Sequence, residues 1–269
     1  MAPNPADSDN AETLRRITAT HAESCGCFFD FDGTLAKIQD DPETVSPVPG
    51  AVAALKELSG HVKRVAIVSA RPAGFLREQF ADLPEIALFG LYGLESQFGS
   101  EEVHTHPDAA PYEQVMARVA DQARAELPET VLVEYKRLSV ALHYRRAPQT
   151  RALIEEWAQR RTAELGLRAQ PGRMVVELKP PGARDKGTVV AEQVSDLSCA
   201  WYFGDDLSDL RAFAALDERG AADPAFVGVR VAVANAESGD ELVPAADLHV
   251  EGPDQVPDFL ATLIGALRD

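Results

Sequence analysis

Cysteine is scarce: the 269 residues contain three, at positions 25, 27 and 199. Three thiols cannot all pair with one another, and Cys25 and Cys27 sit inside an apolar run. A disulfide framework is therefore excluded, and the cysteines read as small buried strand residues rather than metal ligands. Long apolar runs are also missing, since none approaches the roughly 18 to 20 residues that a membrane span needs. The opening MAPNPADSDN lacks the basic-then-apolar pattern of a signal peptide, so the expected location is cytoplasmic, with no membrane partner. Positive charge is in deficit, 26 Lys and Arg against 43 Asp and Glu, for a formal net charge of -17. That argues against non-specific binding to nucleic acid or anionic lipid, both of them polyanions. An anionic substrate would need local positive charge or a metal.

What is present is enough apolar material, 45% of the chain, for a globular core, and enough length for two domains. The runs CGCFFD, RVAIVSA, IALFGLYG, CAWYFGDD and VGVRVAVAN alternate with helical stretches such as GAVAALKELSG. Near-continuous apolar strands between helices predict a doubly wound α/β core, a parallel sheet covered on both faces. From 104 to 180 the pattern changes to helix, two alternating strands, helix, and two more strands across a Pro-Gly turn at Pro171-Gly172. This αββαββ repeat predicts an inserted α+β domain, a four-stranded antiparallel sheet backed by two helices. The expected division is 1–103 with 181–269 for the core and 104–180 for the insert. The insert carries 12 basic and 10 acidic residues, so it is the electropositive part of an acidic chain.

In a parallel sheet, ligands bind beyond the carboxyl ends of the strands. The first apolar run ends in Asp30 and Asp32, and alternation along a strand predicts that both project the same way. Ser69 and Arg71 follow the second run, GDDLSD (204–209) follows CAWYF, and Lys186 opens a predicted helix. Singly, each has an ordinary role: Asp205, Asp206 or Ser208 as helix caps, Ser69 as a cap before Pro72, Lys186 as a solvated lysine, Arg71 as partner to a carboxylate. Jointly, carboxylates converging on one edge repel unless a divalent cation sits among them, and oxygen-only donors favour Mg²⁺. A hydroxyl, a lysine and helix-start amides beside them suit a phosphoryl group.

The series DFDGTL, Ser69, a Lys before a helix, then GDDLSD resembles the four-motif signature of the haloacid dehalogenase superfamily of phosphatases, over about residues 26 to 235. The resemblance implies a Rossmann-like core of that type, with Asp30 as the nucleophile that forms an aspartyl phosphate and Asp32 as general acid and base. It implies that Thr34, Ser69 and Arg71 meet the phosphoryl group, that Lys186 neutralises it, and that Mg²⁺ is held among Asp30, Asp32, Asp205 and Asp209.

The insert's position and the segments GLYGLE, VEYKRLSVALHYR and VVELKPPGARDKG are similar to the trehalose-6-phosphate phosphatases. By that resemblance Glu134, Lys136, His143, Arg145, Arg173 and Glu177 face a sugar, and the expected partner is a small-molecule sugar phosphate. Glu134 and Lys136 flank a hairpin turn and have solvent exposure as their alternative reading, and which face of the sheet meets a sugar stays open. Ala70 stands where the family commonly has Gly, and Tyr92 where it has His. Sucrose 6-phosphate, mannosyl-3-phosphoglycerate or a monosaccharide phosphate are alternative substrates, and a non-enzymatic phosphoaspartate signalling module is an alternative class.

Overall fold

The run at 25–29 becomes strand β1 (Cys25–Phe29), buried along its whole length because both sheet faces are covered. The computed structural model describes residues 5–39, 42–172, 174–182, 184–235, 238 and 241–268. The chain divides into two compact units, Met1–Val103 with Arg184–Asp269, and His104–Ala183.

In the first unit β2 (Arg64–Val68) and β3 (Ala87–Gly90) follow, then β4 (Glu95–Phe98). After the short β5 (His104–Thr105) and the insert's β6 (Leu132–Tyr135), β7 (Val140–His143), β8 (Arg168–Gly172) and β9 (Val175–Lys179), the core resumes with β10 (Cys199–Gly204), β11 (Val227–Ala234) and β12 (Leu248–Glu251). The core sheet runs β12-β11-β10-β1-β2-β3-β4. All pairs are parallel except β3 with β4. Alternation sorts the aromatic residues. Phe29, Trp201 and Phe203 face α2 (Ala51–Ser59), α3 (Ala73–Gln79) and α8 (Val256–Arg268), whereas Phe28 and Tyr202 face α6 (Lys186–Gln193) and α7 (Leu210–Ala222). The sheet is thus doubly wound, as the apolar runs predict. Among the described residues no helix is long and apolar enough to cross a membrane.

The second unit is a four-stranded sheet in the order β6-β7-β9-β8, antiparallel throughout. Its apolar face (Val140, Leu142, Val176, Leu178) packs on α4 (Glu113–Glu126) and α5 (Arg151–Leu165) through Met116, Val119, Ile154 and Trp157. The expected turn at Pro171-Gly172 is displaced. Pro171 pairs with Val176 and Gly172 with Val175, so both belong to the ladder, and Met174 carries the positive φ of the turn. β8 is an edge strand, where proline's missing N–H costs little.

Candidate active site

Four adjacent parallel strands, β2, β1, β10 and β11, bring Ser69, Asp30, Asp205 and Asn235 to their carboxyl ends. The Asp30 amide donates to the Phe203 carbonyl at 2.9 Å, so β1 stays locked to β10 at the point where the carboxylate emerges. Asp30, Asp205 and Asp209 are buried, and each offers an oxygen within 4.8 Å of the others. Lys186, the first residue of α6, reaches into this group. Its Nζ lies 3.0 Å from Asp30 Oδ1, 2.7 Å from Asp209 Oδ1 and 3.7 Å from Asp206 Oδ1. Asp185 caps the same helix, accepting from the Thr188 amide at 2.9 Å, which fixes where the lysine starts.

One cation does not offset three buried carboxylates. Burial, and then repulsion from Asp209 and Asp206, pushes Asp205 up to about 7. Burial likewise lifts Asp209 to about 6, against the pull of Lys186, and lifts Asp30 well above the usual carboxylate range. Lys186 is held firmly charged, because Asp209 and Asp30 outweigh the burial that opposes its charge.

Asp209 differs from the other two. Its Oδ1 accepts from Lys186 and, at 2.7 Å, from Tyr202 Oη, while its Oδ2 accepts from the Asp205 and Asp206 amides at 3.0 Å each. A carboxylate has about four lone-pair sites, so these donors fill them. Asp205 keeps more capacity, accepting from Asn235 Nδ2 at 2.8 Å and from Thr34 Oγ1 at 3.4 Å. Asn235 and Tyr202 carry no sequence motif. The available signals were that Asn235 closes the run VAVAN and that Tyr202 is a polar group in an otherwise apolar strand.

Asp32, expected beside Asp30 among the metal ligands, does not join the carboxylate group in the structure. β1 ends at Phe29, and the chain turns through Gly33 (φ 84°), so the two-residue period stops before Asp32. Asp32 is absent from the carboxylate group, and both its oxygens accept from Arg71, Oδ2 from Nε at 2.8 Å and Oδ1 from Nη2 at 2.6 Å. Arg71 therefore has the carboxylate-partner role. Ser69 is buried, and its Oγ accepts from the Arg71 amide at 3.1 Å. Ala70 is not among the residues with positive φ, so alanine replaces glycine there without strain; Leu91 and Tyr92 carry the positive φ nearby. Glu95 is buried and accepts from the Ala73 amide at 2.8 Å, capping α3 in place of Ser69.

A Cβ added at Gly33 would collide with the Asp205 carboxylate. Gly33→Ala is expected to cost about 1 to 2 kcal/mol from the left-handed backbone alone, plus the displacement of Asp205. Denaturant unfolding checks this, and an unchanged midpoint would contradict it.

On the insert, Glu134, His143, Glu177, Lys179 and Gln170 share the sheet face opposite the helices. His143 Nε2 lies 2.8 Å from Glu134 Oε2. Lys136 Nζ lies 3.6 Å from both Glu134 and Glu177, and its side chain is only 10% exposed, so the solvated reading of this lysine is overturned. Glu177 accepts from Ser139 Oγ at 2.8 Å and lies 3.1 Å from Lys179 Nζ, which in turn donates to Gln170 Oε1 at 2.8 Å. Ser139, Lys179 and Gln170 were not singled out in the sequence, although Lys179 follows Glu177 at the two-residue spacing of one strand face. Arg145 is exposed in the turn after β7, and Arg173 lies outside the described residues.

Burial raises the Glu177 carboxyl, but Lys136, Lys179 and Ser139 outweigh it and hold it at about 2. A depressed folded-state value contributes stability that is present above the unfolded value, roughly 4.3. That stability is lost as pH falls toward 2. Glu177→Gln should therefore be less stable near neutral pH, with Lys136 and Lys179 each losing a carboxylate partner, and should lose less additional stability than wild type between pH 5 and pH 2.5. Parallel acid limbs in denaturant titrations would contradict this.

The core topology is that of haloacid dehalogenase-like hydrolases: one from Bacteroides thetaiotaomicron superposes with a TM-score of 0.56 at 16% identity, covering 89% of this chain and 98% of that one. The C-terminal domain of a Candida albicans trehalose-6-phosphate phosphatase gives 0.76 at 22% identity, covering 95% and 97%. A trehalose-phosphatase family model matches residues 28–243, and the chain belongs to that family. A trehalose-phosphate phosphatase from Mycobacterium marinum is 36% identical over 96% of this chain. One from Mycobacterium tuberculosis is 33% identical over 97%. The chain spans 66% of the length of each of these two relatives.

Proposed function

We propose that this chain is a Mg²⁺-dependent phosphatase that hydrolyses trehalose 6-phosphate to trehalose and inorganic phosphate. The observation that carries the proposal is Asp30, a buried carboxylate at the end of a central strand, 3.0 Å from Lys186 Nζ, in a member of the trehalose-phosphatase family. Asp30 attacks phosphorus and becomes an aspartyl phosphate, while the leaving sugar oxygen takes a proton from Asp32. Asp32 then takes a proton from the water that hydrolyses the acyl phosphate, and Asp30 is regenerated. Splitting the reaction this way suits phosphate monoesters, whose uncatalysed hydrolysis is among the slowest known. Lys186 neutralises phosphoryl charge, and Thr34 and Ser69 supply hydroxyl donors.

The donor set fits a hard divalent cation, being all oxygen and excessively anionic when empty. Asp30 and Asp205 are the ligands we favour. Asp209, its lone pairs already filled, anchors Lys186 and the 205–206 amides. Bound Mg²⁺ would supply charge screening on the phosphoryl group.

Because ligands must be deprotonated, stabilisation by Mg²⁺ should depend on pH. At a hundredfold excess over Kd it amounts to about 2.7 kcal/mol. With Asp205 lifted to about 7, that gain should be present at pH 8 and largely lost at pH 5. Thermal unfolding with Mg²⁺ and with chelator measures it, and equal gains at both pH values would count against the assigned ligands. Phosphate release from a panel of sugar phosphates, with and without chelator, tests the activity itself. No release from any of them would overturn it.

The insert, 104–183, we read as the substrate-specificity domain. A disaccharide offers many hydroxyls, and the polar face bearing Glu134, Lys136, His143 and Glu177 offers paired charged donors and acceptors to match.

A further inference from the structure

We propose that Arg71 is the positioning residue of the acid and base, holding both carboxylate oxygens of Asp32 until bound substrate takes one of them. The proposal rests on the reading of Asp32 as acid and base. Its physical ground is the fork: Nε and Nη2 donate to separate oxygens at 2.8 and 2.6 Å. This is a two-point pairing that fixes the plane of the carboxylate as well as its distance.

The fork is itself braced. The guanidinium lies 4.8 Å over the Phe75 ring, and Phe75 meets Phe31, the residue before Asp32, edge-on at 5.9 Å. The Arg71 side chain is 11% exposed, far from the solvated surface pairs that contribute little. Its backbone amide meanwhile holds Ser69 Oγ. One residue thus fixes both the acid and base and a hydroxyl at the end of the adjacent strand.

The pairing also sets a condition on the reaction. With each oxygen already accepting from the guanidinium, Asp32 can offer a leaving group only an oxygen that the fork has engaged, and it stands outside the Asp30, Asp205 and Asp209 group. One bond of the fork opens on substrate binding, the freed oxygen takes up a proton from solvent, and the other bond remains as the pivot that aims that oxygen at the leaving group. Arg71 acts through Asp32 and not on the phosphoryl group.

p-Nitrophenyl phosphate separates these roles, because p-nitrophenolate leaves without an acid, whereas hydrolysis of the phosphoenzyme still needs the base. Asp32→Asn should keep the first-turnover release of p-nitrophenolate and slow steady-state turnover, which tests the Asp32 reading alone. Arg71→Met should do the same, with first-turnover release within about twofold of wild type and steady-state turnover reduced about tenfold or more. Added to Asp32→Asn, Arg71→Met should cause no further loss, the non-additivity expected of residues that act as one unit. Arg71→Lys keeps the charge but not the fork, and should recover little. Slowed first-turnover release in Arg71→Met, the same fold loss in the Asp32→Asn background, or full rescue by lysine would each overturn the proposal while leaving the Asp32 reading intact. Slowed first-turnover release in Asp32→Asn would overturn that reading, and the proposal with it.

Discussion

Asp30→Asn is expected to reduce phosphate release on the order of 10⁴-fold or more, with the fold retained. The amide is nearly isosteric with the carboxylate but is a poor nucleophile. The fold should survive for an electrostatic reason. Burial already disfavours the charge on Asp30, so a neutral side chain relieves a cost at this position. Lys186 is not left unpaired, because Asp209 remains 2.7 Å from its Nζ. Thermal unfolding should therefore show little change while phosphate release collapses. Substantial residual turnover in the purified, folded variant would remove Asp30 from the nucleophile's place, and with it the aspartyl phosphate.

How much of this was legible in the sequence depended on how local the determining physics was. Asp30, Lys186 and the GDDLSD loop follow strand or helix boundaries that apolar runs mark directly, and the sheet rule then brings them together. The α4-β6-β7-α5-β8-β9 pattern was readable for the same reason, each strand having one apolar and one polar face.

The pairing of Asp32 with Arg71 was not legible because the alternation that predicts side-chain direction holds only inside a strand, and β1 ends at Phe29, three residues before it. The saturation of Asp209 was invisible because its donors come from β10, from the loop after it and from α6, which only the fold unites. Asn235 lay beyond sequence reasoning for a related reason: a lone Asn after a strand gains meaning only when β11 is seen beside β10. Glu95 was unreadable as the cap of α3, since it reaches the Ala73 amide from 22 residues away. Gly204 is the converse case, local in sequence but explained only by the fold, because a Cβ there would strike the Asp209 carboxyl.

Substrate choice carries the account as a whole. Trehalose 6-phosphate and glucose 6-phosphate present the same phosphate on the same kind of carbon, so Asp30, Asp32 and Lys186 meet equivalent groups in both. Any preference must come from the second glucose ring, and we propose that the polar groups of the insert recognise it. The groups there are already braced. Glu177 is held charged by two lysines and a serine, and Glu134 is oriented by His143. Bracing of this kind limits the ordering cost of binding. If two such groups engage the second ring, each worth roughly 1.5 to 3 kcal/mol, discrimination of at least about a hundredfold follows. Glu134→Ala or Glu177→Ala should lower that ratio while sparing p-nitrophenyl phosphate, which has no second ring.

The most direct measurement is kcat/KM for phosphate release from trehalose 6-phosphate and from glucose 6-phosphate, with Mg²⁺, under identical conditions. A ratio of about a hundred or more in favour of the disaccharide is expected, and a ratio near one would contradict recognition of the second ring.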